Sequence, residues 1–320
     1  MGMLKTIAQA WKIGDLRKKI IFTLLMLLVF RLGSNIPVPG IDRDILKDVF
    51  SGDTGLFGLF DLFSGGSFSN FTIFALSITP YITASIIFQL LTIAIPRLEA
   101  LAKEGTEGKK KIAQYTRYLT VALAFVQAIG LSVGLFRRAV VNQDFFSISV
   151  IVLTLSAGTA FLMWLGEQIN ENGIGNGISL IIMAGIISTI PSAIHQTWVK
   201  FQAGEVSLIS IILFCIFALF VVIGIIIVQQ GQRRIPVQYA KRVVGRKMYG
   251  GQSTHIPMKV NQAGVIPVIF SLSLLQFPIT ITYFFREGAF ADFVMKWLSP
   301  YGNPGVWIYA SFNIILIMFF

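Results

Sequence analysis

The 320-residue chain has little of what chemistry usually needs: one cysteine, two histidines and only 13% charged residues. Cys215 has no second thiol to pair with and lies inside an apolar run, so a disulfide framework is excluded and the residue reads as a small buried hydrophobe. His195 and His255 fall on opposite sides of a membrane in the topology derived below, so they cannot share a metal. HExxH, GxSxG and Walker loops are all missing. The run Gly173, Gly175, Gly177 follows no strand, which excludes a dinucleotide fingerprint and leaves a tight loop that Asn176 can cap. No enzyme and no cofactor is expected.

Scarcest of all is charge within the apolar runs, where Arg31 is the one ionisable residue. Carriers that couple to ions or protons usually bury carboxylates, histidines or basic groups at mid-membrane, and these runs offer none. What is present is hydrophobicity: 55% apolar residues and a mean hydropathy of +0.75. Eight stretches, 20–38, 71–95, 119–136, 145–166, 178–194, 206–228, 264–285 and 306–320, are long or nearly long enough to cross about 30 Å of hydrocarbon as helices. The last holds 15 residues and stops without a polar flank, where its terminal carbonyls would go unpaired in lipid. The sequence is therefore expected to be a piece of a longer protein. Glycines and prolines interrupt several stretches, among them Pro80, Gly158, Pro191 and Gly224.

Lysine and arginine set the orientation. With a cytoplasmic N-terminus the inside segments hold 18 of the 26 basic residues and the outside segments 7, Arg31 being the remainder. The segment with Glu167 and Glu171 has no basic residue and is the weak point of this assignment. Near the outer end of the first stretch, Arg31 is expected to snorkel outward. The formal charge of +11 is mostly this inside bias, attracted to anionic lipids, rather than a nucleic-acid footprint. The loop 229–259 goes further, with Arg233, Arg234, Lys241, Arg242, Arg246, Lys247 and Lys259 and no acidic residue. Either simple excess or a docking surface for a partner bearing phosphate or carboxylate groups accounts for it.

Two segments fit neither span nor ordinary loop. Leu4, Ile7, Ala8 and Trp11 repeat at helical spacing beside Lys5 and Lys12, the pattern of an interfacial helix or else of a frayed basic tail. From Leu56 to Phe71 the chain packs Leu56, Phe57, Leu59, Phe60, Leu62 and Phe63 around Asp61, then turns at Gly65 and Gly66. A re-entrant half-helix ending in a flexible glycine hinge fits this, and a surface helix on the outer leaflet is the alternative.

The strings YITASIIFQLL (Tyr81 to Leu91), QYTRYLT (Gln114 to Thr120), GIGNGISLIIMAGI (Gly173 to Ile186), RRIPVQYAKR (Arg233 to Arg242) and NQAGVIPVIF (Asn261 to Phe270) resemble those of the SecY family, the channel subunits of the bacterial protein translocase. The resemblance runs through the whole chain in order and spacing. It implies an all-α polytopic membrane bundle in the bacterial cytoplasmic membrane, with about eight of ten helices present: an N-terminal half over 1–195 and part of a C-terminal half over 196–320.

That resemblance also assigns roles. Residues 54–70, with Leu56, Phe57, Leu59, Phe60, Leu62, Phe63, Gly65 and Gly66, would be a plug. Ile78, Ile82, Ile182, Ile186 and Ile269 would form a constriction ring, whose branched aliphatics dewet a narrow gap and offer a sliding polypeptide no fixed hydrogen bonds. Thr83, Ser85, Gln89, Asn261, Gln262 and Gln276 would line a lateral gate of weak polar contacts. Arg233, Arg234, Lys241, Arg242, Arg246 and Lys247 would dock the SecA motor or the ribosome. SecE and SecG small subunits, a secretory precursor with its signal sequence, and anionic lipids are the other implied partners. A secondary transporter would need a mid-membrane coupling residue, and a poreless scaffold would leave the plug-like segment and the isoleucine face unexplained.

Overall fold

The computed structural model describes residues 11–42, 45–46, 61, 64–137, 139–237, 242–244, 247–249, 254–259, 261, 267–268, 271–272, 274–275, 278, 282, 289–298 and 305–319. Its contacts divide the chain into two compact units, Met1–Ser192 with Val268–Phe319, and Ala193–Pro267.

Helix α1 runs Gly14–Gly33, beginning among the basic residues that precede the apolar stretch. It stops five residues before the expected end; after a turn at Ser34 and Asn35, Pro37 bridges Thr72, Val38 N–H donates to the Phe71 carbonyl, and Ile73 N–H donates to the Ile36 carbonyl. The expected span 71–95 shortens correspondingly to α2, Thr79–Ala94. Residues 71–78 are turns, with Phe71 at φ 43° and Ser77 at φ 52°, values that break a helix. An apolar backbone segment without helical bonds survives there because protein surrounds it: Phe71, Phe74, Ala75, Leu76 and Ile78 are all buried.

Pro96 starts the short helix α3, Pro96–Lys103, bent 102° from α2. Helix α4, Thr106–Ile129, continues into a π-helical turn, Gly130–Leu135. Helices α5, Phe145–Asn172, and α6, Gly177–Gln202, are joined by a tight loop in which the Asn176 side chain accepts from the N–H groups of Ile178 and Ser179, the cap its position suggested. Helix α7, Leu208–Gln230, leads into an antiparallel ribbon of β1, Gln232–Val237, and β4, Thr254–Lys259. Between them β2, Arg242–Val244, pairs with β3, Lys247–Tyr249. Helices α8, Ala289–Trp297, and α9, Gly305–Phe319, complete the described elements. Among the described residues four helices are long and apolar enough to cross a membrane, or five if the bent α2–α3 pair counts as one span. The expected interfacial helix over residues 4–11 lies almost wholly outside the described residues, and most of the expected span 264–285 does too.

The first unit holds two apolar clusters. One gathers Val38, Phe68, Phe71, Leu76, Phe136 and Ile151 with the small Ala124 and Ala128 of α4. Phe136 meets Phe71 edge-on with centroids 4.8 Å apart, and Phe68 at 5.7 Å. The other gathers Phe30, Phe74, Ile78, Leu162, Leu165, Ile169 and Ile181. Close approach of backbones, rather than transfer from water, is what holds helices together in lipid. Gly158 fits this: a Cβ there would strike the Ile73 carbonyl.

Candidate functional site

Three of the five expected ring residues, Ile78, Ile82 and Ile182, meet in the second cluster. Ile82 of α2 and Ile182 of α6 are half-buried and pack on it, and Ile78 belongs to its core at 2% exposure. Ile78 precedes α2 as its N-cap, yet the Ile82 N–H donates to its carbonyl at 3.1 Å, so the spacing still sets the two on one side of the helix start. On α6 the cluster takes in Ile178 and Ile182, and Ile186 is not part of it. Ile178 carries the same i, i+4 relation to Ile182 as Ile186 does, so spacing alone could not choose between the two pairs. Ile269 lies outside the described residues.

Of the plug residues, Leu56, Phe57, Leu59, Phe60, Leu62 and Phe63 lie outside the described residues. The described part, Asp61 and Ser64–Asn70, is knit by local bonds. The Asp61 carboxylate accepts from Ser69 N–H at 2.8 Å, Ser64 Oγ accepts from Phe68 N–H at 3.0 Å, and Asn70 Nδ2 donates to the Gly66 carbonyl at 2.8 Å. Gly65 and Gly66 have φ of +67° and +85°, where L side chains are strained. A Cβ on Gly65 would lie 2.8 Å from the Gly185 Cα and 2.9 Å from Ser188 Oγ, so the turn is seated against the backbone of α6, one turn beyond Ile182.

Arg31 corrects the expectation that it snorkels. Its Nη1 donates to the Gly65 carbonyl at 3.1 Å, to Ser188 Oγ at 3.1 Å and to Ser34 Oγ at 3.5 Å. The reason is chemical: a guanidinium has five donors and no acceptor, and these oxygens lie within its reach. The sequence carried only half of the signal, a lone arginine in an apolar run, because its two closer acceptors, Gly65 and Ser188, are 34 and 157 residues away.

Of the residues expected to line a lateral gate, Thr83 and Ser85 of α2 are half-buried and Gln89 is exposed. Thr83 Oγ1 donates to its own helix at the Thr79 carbonyl, 3.1 Å. Asn261 is half-buried, while Gln262 and Gln276 lie outside the described residues. In the ribbon, Arg233 and Arg234 are both exposed, but as neighbours in β1 they point to opposite faces. Arg233 shares its face with Ile235, Ile256 and Met258, and Arg234 shares the other with His255 and Lys259. Arg242 lies in β2 and Lys247 in β3, while Lys241 and Arg246 fall outside the described residues. Reasoning from sequence missed this ribbon, although its period-two alternation of Arg233, Ile235 and Val237 was available. It also missed the ion pair between Arg117 Nε of α4 and Glu167 Oε1 of α5 at 2.7 Å.

The comparisons agree with this geometry. The family model for SecY matches residues 72–320. The chain is 49% identical over 320 residues to the protein translocase subunit SecY of Halalkalibacterium halodurans, covering 96% of this chain and 74% of that one. It is 48% identical over 343 residues to the protein translocase subunit SecY of Streptomyces coelicolor, covering 99% of this chain and 76% of that one. Its fold resembles a solved protein-conducting channel with a TM-score of 0.67 at 20% identity, over 95% of this chain and 70% of that one. By fold, by motifs and by these alignments, the chain belongs to the SecY family.

Proposed function

We propose that the chain forms the pore-bearing part of a protein-conducting channel, through which unfolded secretory polypeptides cross the membrane and apolar segments leave sideways into lipid. One observation carries this reading. The isoleucines of α2 and α6 converge in one apolar cluster, and the turn that ends the plug-like segment is seated on α6 just beyond them. A collar that dewets, with a stopper beside it, seals against ions without binding a moving chain. On α6 the packing favours Ile178 and Ile182 as the collar pair over Ile182 and Ile186.

Thr83, Ser85 and Gln89 supply the α2 side of a lateral gate whose uncharged contacts are each worth about 1 kcal/mol or less, weak enough for an inserting apolar segment to displace. The N-terminus lies in the cytoplasm in this reading. The Arg117–Glu167 pair supports it, because it holds the point where α4 turns apolar and the last turns of α5 on one side and so ties the loop after α5, which has no basic residue, to a strongly basic segment. By its excess of basic residues the segment with the cationic ribbon is assigned to the cytoplasm, where it would receive the SecA motor or a ribosome, with SecE and SecG as companion subunits in the cytoplasmic membrane.

The test is photocrosslinking from α6 in membranes containing the complete translocase, with a secretory precursor stalled midway by SecA and ATP. Probes at Ile178 and Ile182 should crosslink the precursor strongly, a probe at Ile186 less, and a probe at the exposed Met183 not at all. Equal crosslinking from Met183 and Ile182 would defeat the collar assignment, and no crosslinking from any of them would defeat conduction along this face.

A further inference from the structure

The hydrogen bonds that reach the described part of the plug segment from α1 and α6 meet at the Gly65 carbonyl. Arg31 Nη1 of α1 donates to it at 3.1 Å, and the same Nη1 is 3.1 Å from Ser188 Oγ of α6. Ser188 has one hydroxyl hydrogen, and its shortest contact, 2.7 Å to the Gly185 carbonyl, takes it. The Ser188 lone pairs are then free to accept from Arg31. Gly185 is also the residue against which the Gly65 backbone rests. Three segments far apart in sequence are thus joined by one guanidinium at the point where the plug segment enters α6. By contrast the inside of the segment is held by its own short-range bonds, Asp61 to Ser69 and Ser64 to Phe68. Displacing it requires the junction at Gly65 to let go and Phe68 to withdraw from the edge of Phe136.

Resting on the channel reading above, we infer that Arg31 is a positioning residue for the plug, a latch that holds the Gly65 turn against α6 in the resting channel and gives way when the plug is displaced. Its contacts suit a latch. A cation bonded to a carbonyl and a hydroxyl gains from charge-assisted hydrogen bonds without the deep stabilisation of a carboxylate partner. Lysine would keep the charge but not the planar fork, and would close the latch incompletely.

The experiment is the resting ion conductance of the complete translocase complex in planar bilayers, compared for the wild type, R31Q, R31K, S188A, a deletion of residues 54–70, and that deletion combined with R31Q. The resting open probability of R31Q should rise about tenfold, as expected for loss of one charge-assisted hydrogen bond. R31K and S188A should rise less, since the first keeps the charge and the second keeps the bond to Gly65. The deletion should leak most, and adding R31Q to it should change neither open probability nor unitary conductance. This last result also shows that the R31Q pore is folded. A deletion that leaks beside an R31Q channel that stays sealed would overturn the latch while leaving the channel reading intact. A further rise when R31Q is added to the deletion would place the action of Arg31 elsewhere and likewise overturn it. A deletion that does not leak would overturn the channel reading itself, and the latch with it.

Discussion

Helices α5 and α7 are both long, apolar and free of charge through their middles, yet α5 is 39% buried over its most apolar window and α7 is not buried at all. Hydrophobicity is the greater in α7, whose central residues are almost all Ile, Leu, Val and Phe. What α5 has and α7 lacks is a set of small residues facing neighbours: Ser156, Gly158, Thr159 and Gly166 are buried, and a side chain at Gly158 would meet the Ile73 carbonyl. Gly224 of α7 has nothing within 4 Å of where its Cβ would be. In a solvent as apolar as leucine, burial follows from how closely backbones approach and not from how strongly a helix avoids water.

The sharpest way to break that comparison is a matched pair of substitutions. Gly158→Leu forces a branched side chain into the Ile73 carbonyl and the Phe74 ring. It should cost about 3 kcal/mol, the upper end of overpacking, and is read as a lower thermal-unfolding midpoint of the purified complex. Gly224→Leu in the same preparation should shift stability by less than about 0.5 kcal/mol, the range of unencumbered surface sites. Equal damage at the two glycines would mean that α7 is covered in the assembled complex.

A smaller effect probes the junction of α1 with the loop after α5. Thr23 Oγ1 donates to the Lys19 carbonyl at 2.8 Å and accepts from Ile174 N–H at 3.1 Å, across 151 residues. Thr23→Val keeps the shape and leaves that N–H without its acceptor, which should cost about 1–2 kcal/mol. Hydrogen exchange at Ile174 should quicken with it, and unchanged exchange would show that the bond does not hold the loop.

Much of this arrangement was legible in the sequence, and the failures have physical causes. The stretches 145–166, 178–194 and 206–228 identified α5, α6 and α7, falling short only where amphipathic turns such as Glu167 to Asn172 extend a helix past the hydrocarbon. The stretch 71–95 misled because hydropathy reports what a segment avoids and not its backbone conformation. Residues 71–78 avoid water by lying inside protein. The proposed collar was half legible: a spacing of four names a helix face but leaves its register along α6 open, and only the packing of Ile178 and Ile182 on one cluster favours one register. Arg31 was visible as an anomaly and was misplaced, since nothing local in the chain announces the Gly65 carbonyl or Ser188.

Two ion pairs of nearly equal length bring the comparison down to its smallest scale. Lys103–Glu99, at 2.6 Å, joins residues four apart on α3 with side chains 74% and 49% exposed, whereas Arg117–Glu167, at 2.7 Å, joins α4 to α5 with side chains 43% and 21% exposed. Distance would rank them as equals. Screening and side-chain entropy do not, because the surface pair is solvated on all sides and its partners are held near each other by the helix whether or not they bond. Glu167→Gln should therefore cost up to about 1 kcal/mol and keep most of that cost at high salt, while Glu99→Gln should cost about 0.3 kcal/mol and lose it as ionic strength rises. A double-mutant cycle of Arg117 with Glu167 isolates the pair from other effects of each change. A coupling no larger than that of Lys103 with Glu99 would mean that α4 and α5 are held by their small residues alone, with the ion pair contributing only orientation.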